Sequence, residues 1–431
     1  MVLEHVLQSQ RDYFATGQTK SLSYRKEALE NLAKALEEFR PTIFRTMKEE
    51  LHQSEEEIAA TEWKLVEDQL VLAMKELKNW SATTRAKDGG LFSSRETLIK
   101  KEPLGVVLII APWCMPLSLC LVPMISAMAA GNCVIVKPSK KAPKIRKVIC
   151  DLLEFAFDSH FVHGVKDDYN YDYILKLRYD SIFFTGTARV GRLVMRSASE
   201  YLTPVTLQLG GKNPCIVDTS ANLKKAANSI ANAKLTMAGQ TYLAPDYLLV
   251  ADEIVEDFLD ELKEALRNRY KVLKDQEGYG RIIDLHHFMR LMRLIEREPE
   301  KWGGEAEDAT FTIGPAIFPQ SSFGSDCMKE EIFGPILPII PYTNLEHALD
   351  KVKEMPKALC CYIFSSDKQL AEQLVEELSF GGGCINACGD HFYNSHLPFG
   401  GVGNSGMGKY HGKAGFDLFT HEKGILTNRQ L

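Results

Sequence analysis

The sequence predicts an α/β fold whose parallel sheets are covered by helices on both faces. Three observations point to it. Val106 to Ile110 and Val134 to Val136 are unbroken apolar runs, and between them Met115 to Ala130 is apolar and of helix length. Ile182 to Phe184 reads as a further short strand that ends in Thr185-Gly186. After Gly210-Gly211 the pattern restarts with Cys215 to Val217, a helix-like Leu223 to Met237, and Tyr247 to Val250. Strands buried on both faces read as continuous apolar runs, and strands alternating with helices indicate parallel crossovers.

Each element has its own signal. In the first hundred residues, Leu29, Leu32, Leu36 and Phe39 recur at the spacing of an amphipathic helix packed on a core. Glu30 and Lys34 add an i,i+4 pair on its polar side. After Arg85 the pattern changes. Lys87-Asp88-Gly89-Gly90 is a turn signal, and the polar segment that runs on to Lys101 contains β-branched residues. It reads as an arm or hairpin leaving the body of the protein. No internal repeat or low-complexity segment is evident.

Composition narrows the function classes. The 431 residues carry a formal net charge of −6, with 45% hydrophobic and 25% charged residues, the proportions of a soluble globular protein of two or three domains. The acidic balance argues against nucleic acid as a partner. No apolar run reaches membrane-spanning length, Met1 to Arg11 lacks the pattern of a secretory signal, and the C-terminus lacks a prenylation cysteine. Ten cysteines occur without a CxxC motif or zinc-type spacing, so reduced thiols, a cytoplasmic setting and no metal are expected.

Several segments could carry chemistry. Val134 to Ser139 reads VIVKPS and puts Lys137 at a strand end, where open α/β sheets bind ligands; a solvated lysine is the blander reading. Phe184 to Gly191 reads FTGTARVG. It lacks the GxGxxG fingerprint, but its turn opens a helix where a phosphate can meet backbone N–H groups; a plain tight turn is the alternative. LQLGGK (207–212), GQTYLAP (239–245), EIFGP (331–335) and LPFGGVGNSGMG (397–408) could each be turn chemistry alone.

Their order and spacing are far more specific. With APW (111–113), AAGNCVIVKPS (129–139), FFTGTARVG (183–191), LTPVTLQLGGKNP (202–214), AGQTYLAPDY (238–247), YGRII (279–283), EEIFGPILPI (330–339) and LPFGGVGNSGMGKYHGK (397–413), the sequence resembles the aldehyde dehydrogenase superfamily over nearly its whole length. It is most similar to the class 3 branch, and within that to B-type members. The resemblance implies two Rossmann-like parallel-sheet domains plus a β-hairpin oligomerisation arm. Residues 1–85 and 104–210 would form a nucleotide-binding domain and 211–395 a catalytic-type domain. Residues 86–103 and 396–431 would form the arm and C-terminal segment of a dimer, either a homodimer or a heterodimer with an active paralogue.

The family oxidises aldehydes with NAD or NADP through a cysteine thiolate, hydride transfer and thioester hydrolysis. The resemblance puts Lys137 at the adenosine ribose, Gly186, Thr187 and Gly191 at the pyrophosphate turn, Glu331 at the nicotinamide ribose and Phe333 beside that ring. Lys140 stands where the family often has a glutamate that accepts from the ribose 2′-hydroxyl. A cation there favours a 2′-phosphate, as in NADP, unless Lys140 is simply solvated.

The departures fall on the chemistry. Tyr242 occupies the nucleophile position, Gln208 the general-base position and Cys114 the oxyanion-donor position. A phenol is only about 0.1% ionised at pH 7, and its bulk is expected to fill the space of the aldehyde carbon. An amide cannot accept a proton in place of a base worth typically 10²–10⁴ in rate, and losing an oxyanion donor costs on the order of 10²–10³. The resulting expectation is a pseudoenzyme: a nucleotide-binding or partner-regulating scaffold whose affinity for NAD or NADP is kept, weakened or lost. The alternative is an active dehydrogenase of medium-chain, long-chain or aromatic aldehydes with a relocated thiol such as Cys114 or Cys384. An esterase side activity would need the same missing cysteine.

Overall fold

The structure, a computed structural model, describes residues 2–86 and 95–428. The turn expected at Lys87–Gly90 lies outside the described residues. The chain opens with helices α1 (Leu3–Ala15), α2 (Leu22–Leu51) and α3 (Lys64–Trp80), the last entered through a π-helical turn at Ala59–Trp63. Leu29, Leu32 and Leu36 are buried as their spacing predicts, and Phe39 packs its ring 5.6 Å from Phe155.

The first sheet is doubly wound. Its strands are β2 (Val106–Ile110), β3 (Cys133–Lys137), β4 (Val162–Gly164), β5 (Ser181–Gly186) and β6 (Val205–Leu209), all parallel, closed on one edge by the short antiparallel β13 (Gly406–Met407). The spatial order is β13–β6–β5–β2–β3–β4. The chain winds outward from β2 to β4, then returns to the other side with β5, so the crevice lies beyond the C-terminal ends of β2 and β5. Helices α4 (Pro116–Ala130), α5 (Pro143–Ala156) and α6 (Ala188–Ser199) make the crossovers. At the start of α5, Glu50 of α2 accepts from the N–H groups of Lys144 (2.9 Å) and Ile145 (2.8 Å), putting a carboxylate at the positive end of the helix dipole.

The second sheet contains β7 (Pro214–Val217), β8 (Tyr247–Ala251), β9 (Ala316–Phe318), β10 (Ile336–Tyr342), β11 (Cys360–Phe364) and β12 (Gly382–Ile385), with the two-residue strand Trp302–Gly303 antiparallel at one edge. Its order is Trp302–Gly303, β9, β10, β8, β7, β11, β12. The helices around it are α7 (Leu223–Leu235), α8 (Val255–Asp275), α9 (Leu285–Arg297), α10 (Leu345–Glu354) and α11 (Lys368–Glu377). The helix expected to run to Met237 stops at Leu235, because Met237 and Ala238 turn left-handed (φ 49° and 52°).

The chain then returns to the first half. Helix α12 (Gly412–Leu418) sets Phe416 5.7 Å from Trp80, and Asn132 Nδ2 donates to the Phe419 carbonyl at 2.9 Å. Strand β14 (Thr420–Asn428) pairs along the full length of β1 (Arg95–Pro103), and Thr84–Arg85 adds a third strand. The two segments assigned to the arm thus form one antiparallel sheet. Among the described residues no helix is long and apolar enough to cross a membrane, and no group of three or more His, Cys, Asp or Glu could hold a metal ion.

Candidate functional site

On the side of the first sheet, β3 delivers Lys137 to its C-terminal end. Lys137 is only 8% exposed, so it is not the solvated lysine of the blander reading. Its ammonium lies 5.3 Å from the Tyr171 ring centre, and among the described residues it has no ion pair. Burial lowers its pKa, and the nearby Arg146 and Lys140 cations push the same way. Gly186 ends β5, and Thr187 precedes α6, whose first N–H groups are capped by no side chain. Gly191 lets α6 lie on β6, since a Cβ there would come 3.0 Å from Leu209. Lys140 is exposed.

Across the crevice, the 331–333 loop faces the 111–114 loop. The Phe333 and Trp113 rings meet edge to face at 5.7 Å. Phe333 takes a left-handed backbone (φ 51°), and its carbonyl lies 2.7 Å from His287 Nε2. Burial holds His287 neutral, with a pKa lowered to about 4, so Nε2 is the donor. The Glu331 carboxyl lies over Gly210, where a Cβ would be 2.0 Å from Oε2, so a side chain there would displace it. Burial and then the Asp246 carboxylate push the Glu331 carboxyl upward.

Tyr242 closes the floor. It is 6% exposed, packs edge to face on Phe392 at 5.6 Å and lies 6.0 Å from Phe399. Among the described residues its hydroxyl has no hydrogen-bond partner beyond the Tyr410 phenol. Burial, followed by the neighbouring Tyr410 phenol and Cys114 thiol, raises its pKa well above the ordinary phenol value. Cys114 is buried, and its thiol is raised by burial and then by the Glu62 and Glu331 carboxyls. The site therefore groups Tyr242, Cys114, Glu62 and Glu331. Gln208 lies to one side: its Nε2 donates to the Gly408 carbonyl at 3.2 Å and its buried Oε1 is unpartnered.

Residues without a motif of their own hold this arrangement. Asn213 Nδ2 donates to the carbonyls of Tyr242 (2.8 Å) and Ala244 (3.1 Å), while its Oδ1 accepts from Cys360 N (2.9 Å). Gln240 ties the same loop to the carbonyl of Arg281 and the N–H of Ile283. Lys212 pairs with Asp246, whose Oδ1 accepts from Ile332 N at 2.9 Å. Gly239 (φ 73°) passes so close to Gly334 that a Cβ would sit 2.3 Å from its carbonyl.

The model of the aldehyde dehydrogenase family matches residues 3–425. The chain belongs to the aldehyde dehydrogenase family. It is 40% identical to 4,4′-diaponeurosporen-aldehyde dehydrogenase of Staphylococcus aureus, over 99% of this chain and 94% of that protein. It is 37% identical to human aldehyde dehydrogenase family 3 member B1, over 98% of this chain and 91% of that protein. Among solved structures, the substrate-bound state of Staphylococcus aureus AldH superposes with a TM-score of 0.96 at 40% identity, covering 100% of this chain and 95% of that one. The class 3 likeness and the aldehyde dehydrogenase fold expected from the motifs are thereby established. The sequence reading of this family member gave no role to Asn213, Lys212 and Asp246, although they stand inside the family motifs, and it missed Glu62, which lies in none. It also missed His391, which joins Cys384 only through space.

Proposed function

We propose that this chain is an aldehyde dehydrogenase-type protein that binds NAD or NADP and an aldehyde between its two sheets. The carrying observation is Lys137, nearly buried and without an ion pair among the described residues, at the same end of the sheet as Gly186 and the uncapped start of α6. The fit to a dinucleotide is good: Lys137 would take the adenosine ribose, Gly186 and Thr187 the pyrophosphate, and Glu331 the nicotinamide ribose beside Phe333. The cofactor, when bound, supplies a hydride acceptor. Lys140 and Arg146 add positive charge near Lys137, so a 2′-phosphate is expected to bind better than a 2′-hydroxyl.

Whole-chain identity to named dehydrogenases supports oxidation of medium-chain, long-chain or aromatic aldehydes. In that reading residue 242 is not the nucleophile, and a thiol elsewhere does the work. Cys114 is poorly suited, since burial and two carboxyls disfavour its thiolate. The second reading is a scaffold without aldehyde turnover, acting as a dimer or with an active paralogue. It is favoured by Tyr242, a buried neutral phenol, and by Gln208, whose amide serves the Gly408 carbonyl. Calorimetric titration with NADP and NAD, run beside reduced-coenzyme formation from hexanal and benzaldehyde, tests both. Binding with turnover supports the first reading and binding without turnover the second. No binding of either coenzyme removes the proposal.

A further inference from the structure

The second sheet carries a thiol–imidazole cluster outside the family's nucleophile position. His391 sits between two sulfurs: its Nδ1 is 3.3 Å from Cys384 Sγ and its Nε2 is 3.6 Å from Cys360 Sγ. The backbone N–H groups of His391 and Asp390 also point at Cys384 Sγ. Cys384 is partly exposed, whereas Cys360 is fully buried.

We propose that Cys384 and His391 form a nucleophilic pair that adds covalently to an aldehyde carbonyl. The assignment of an aldehyde rests on the function proposed above; the reactivity of the pair does not.

Two independent features support it. The first is the tautomer. For Nδ1 to accept the Cys384 proton, the ring proton must sit on Nε2, where it meets Cys360 Sγ. Cys360 is thus a positioning residue, and its own main-chain N–H is fixed by Asn213. Burial lowers the His391 imidazole to about 4 and raises the Cys384 thiol, so at neutral pH both groups rest neutral, with Nδ1 open to accept the thiol proton as the Sγ–C bond forms. The second is the ring cluster packed around the imidazole. His391, Phe392, Phe399, Tyr242, Tyr410 and His411 form one ring cluster, with Phe399 5.7 Å from His391 and 5.7 Å from His411. Within it, among the described residues, both ring nitrogens of His411 are buried without a hydrogen-bond partner. Buried polar groups normally have partners.

The step balances without an oxidant. The Cys384 S–H bond breaks as the Sγ–C bond forms. The proton passes to His391 Nδ1 and from there to the carbonyl oxygen. The C=O π pair becomes the O–H bond, and the product is a hemithioacetal.

The test is timed iodoacetamide labelling of the wild-type protein, with peptide mass spectrometry resolving the ten thiols. Cys384 is expected to label at least tenfold faster than Cys360 or Cys114, and His391→Gln to slow it at least tenfold while leaving the melting temperature and the labelling of the other cysteines unchanged. Prior incubation with hexanal should protect Cys384 in the wild type. Labelling of Cys384 no faster than the buried thiols overturns the pair, and this measurement needs no variant. Rapid labelling without hexanal protection overturns the aldehyde adduct. Because iodoacetamide carries no aldehyde and coenzyme titration does not involve Cys384, failure here is distinct from failure of the proposed function.

Discussion

Among the described residues the buried Tyr242 hydroxyl has no hydrogen-bond partner beyond the neighbouring Tyr410 phenol, and a poorly satisfied buried group typically costs 1–3 kcal/mol of desolvation. Tyr242→Phe keeps the ring contacts with Phe392 and Phe399 and removes that cost. It should stabilise the protein by about 1 kcal/mol in urea unfolding; a variant less stable than the parent would mean that the hydroxyl has a partner. The motifs in and around which Tyr242, Gln208 and Cys114 stand were legible in the sequence, and the reading of these three as departures from the family pattern rests on that register alone. What they do in space was not legible. The Gln208 amide turns out to bind a carbonyl, and Cys114 lies near the Glu62 and Glu331 carboxyls.

At the scale of elements, the helical turn carrying Glu57 and Glu62 places two carboxyls in the interior. Glu62 Oε2 accepts from Ser118 N at 2.7 Å at the start of α4, and Glu57 Oε1 from Met237 N at 2.8 Å. Burial raises their pKa values to about 8 and about 7, from 4.5. Between those limits the folded form holds protons that the unfolded chain has released, so stability falls as pH rises. Glu62→Gln should be more stable than the parent at pH 8 and no more stable at pH 4, as read from urea midpoints. Equal midpoints at pH 8 would show that Glu62 is already ionised. A second element-scale prediction concerns the end of β3. Lys140→Glu should weaken NADP relative to NAD by about fivefold, since a single exposed charge contact contributes up to about 1 kcal/mol; an unchanged ratio in calorimetry would return Lys140 to solvent. The strong strands β2, β3, β5, β7 and β8 were readable from apolar runs. Strand β4, at an edge and three residues long, was not. The left-handed stop at Met237 also lacks a glycine or proline to announce it.

For the whole molecule, β14 matters most. It zips nine residues of the C-terminus onto β1, 316 or more positions away in the chain where Asp417 pairs with Lys101 beside it. Removing residues 420–431 strips a full edge of hydrogen bonds from the arm. The family resemblance implies that this arm makes a dimer. The truncated chain should therefore elute as a monomer or aggregate in size-exclusion chromatography, and an unaltered dimer would place the contact elsewhere.

The loop bearing residue 242 is gripped almost wholly by its main chain: Asn213 and Gln240 bind carbonyls and amides, and Gly239 packs backbone on backbone. None of these ties cares which side chain stands at 242. A protein built this way can exchange its reactive group in one step without first losing its architecture, and a designer can trade residues there for the same reason.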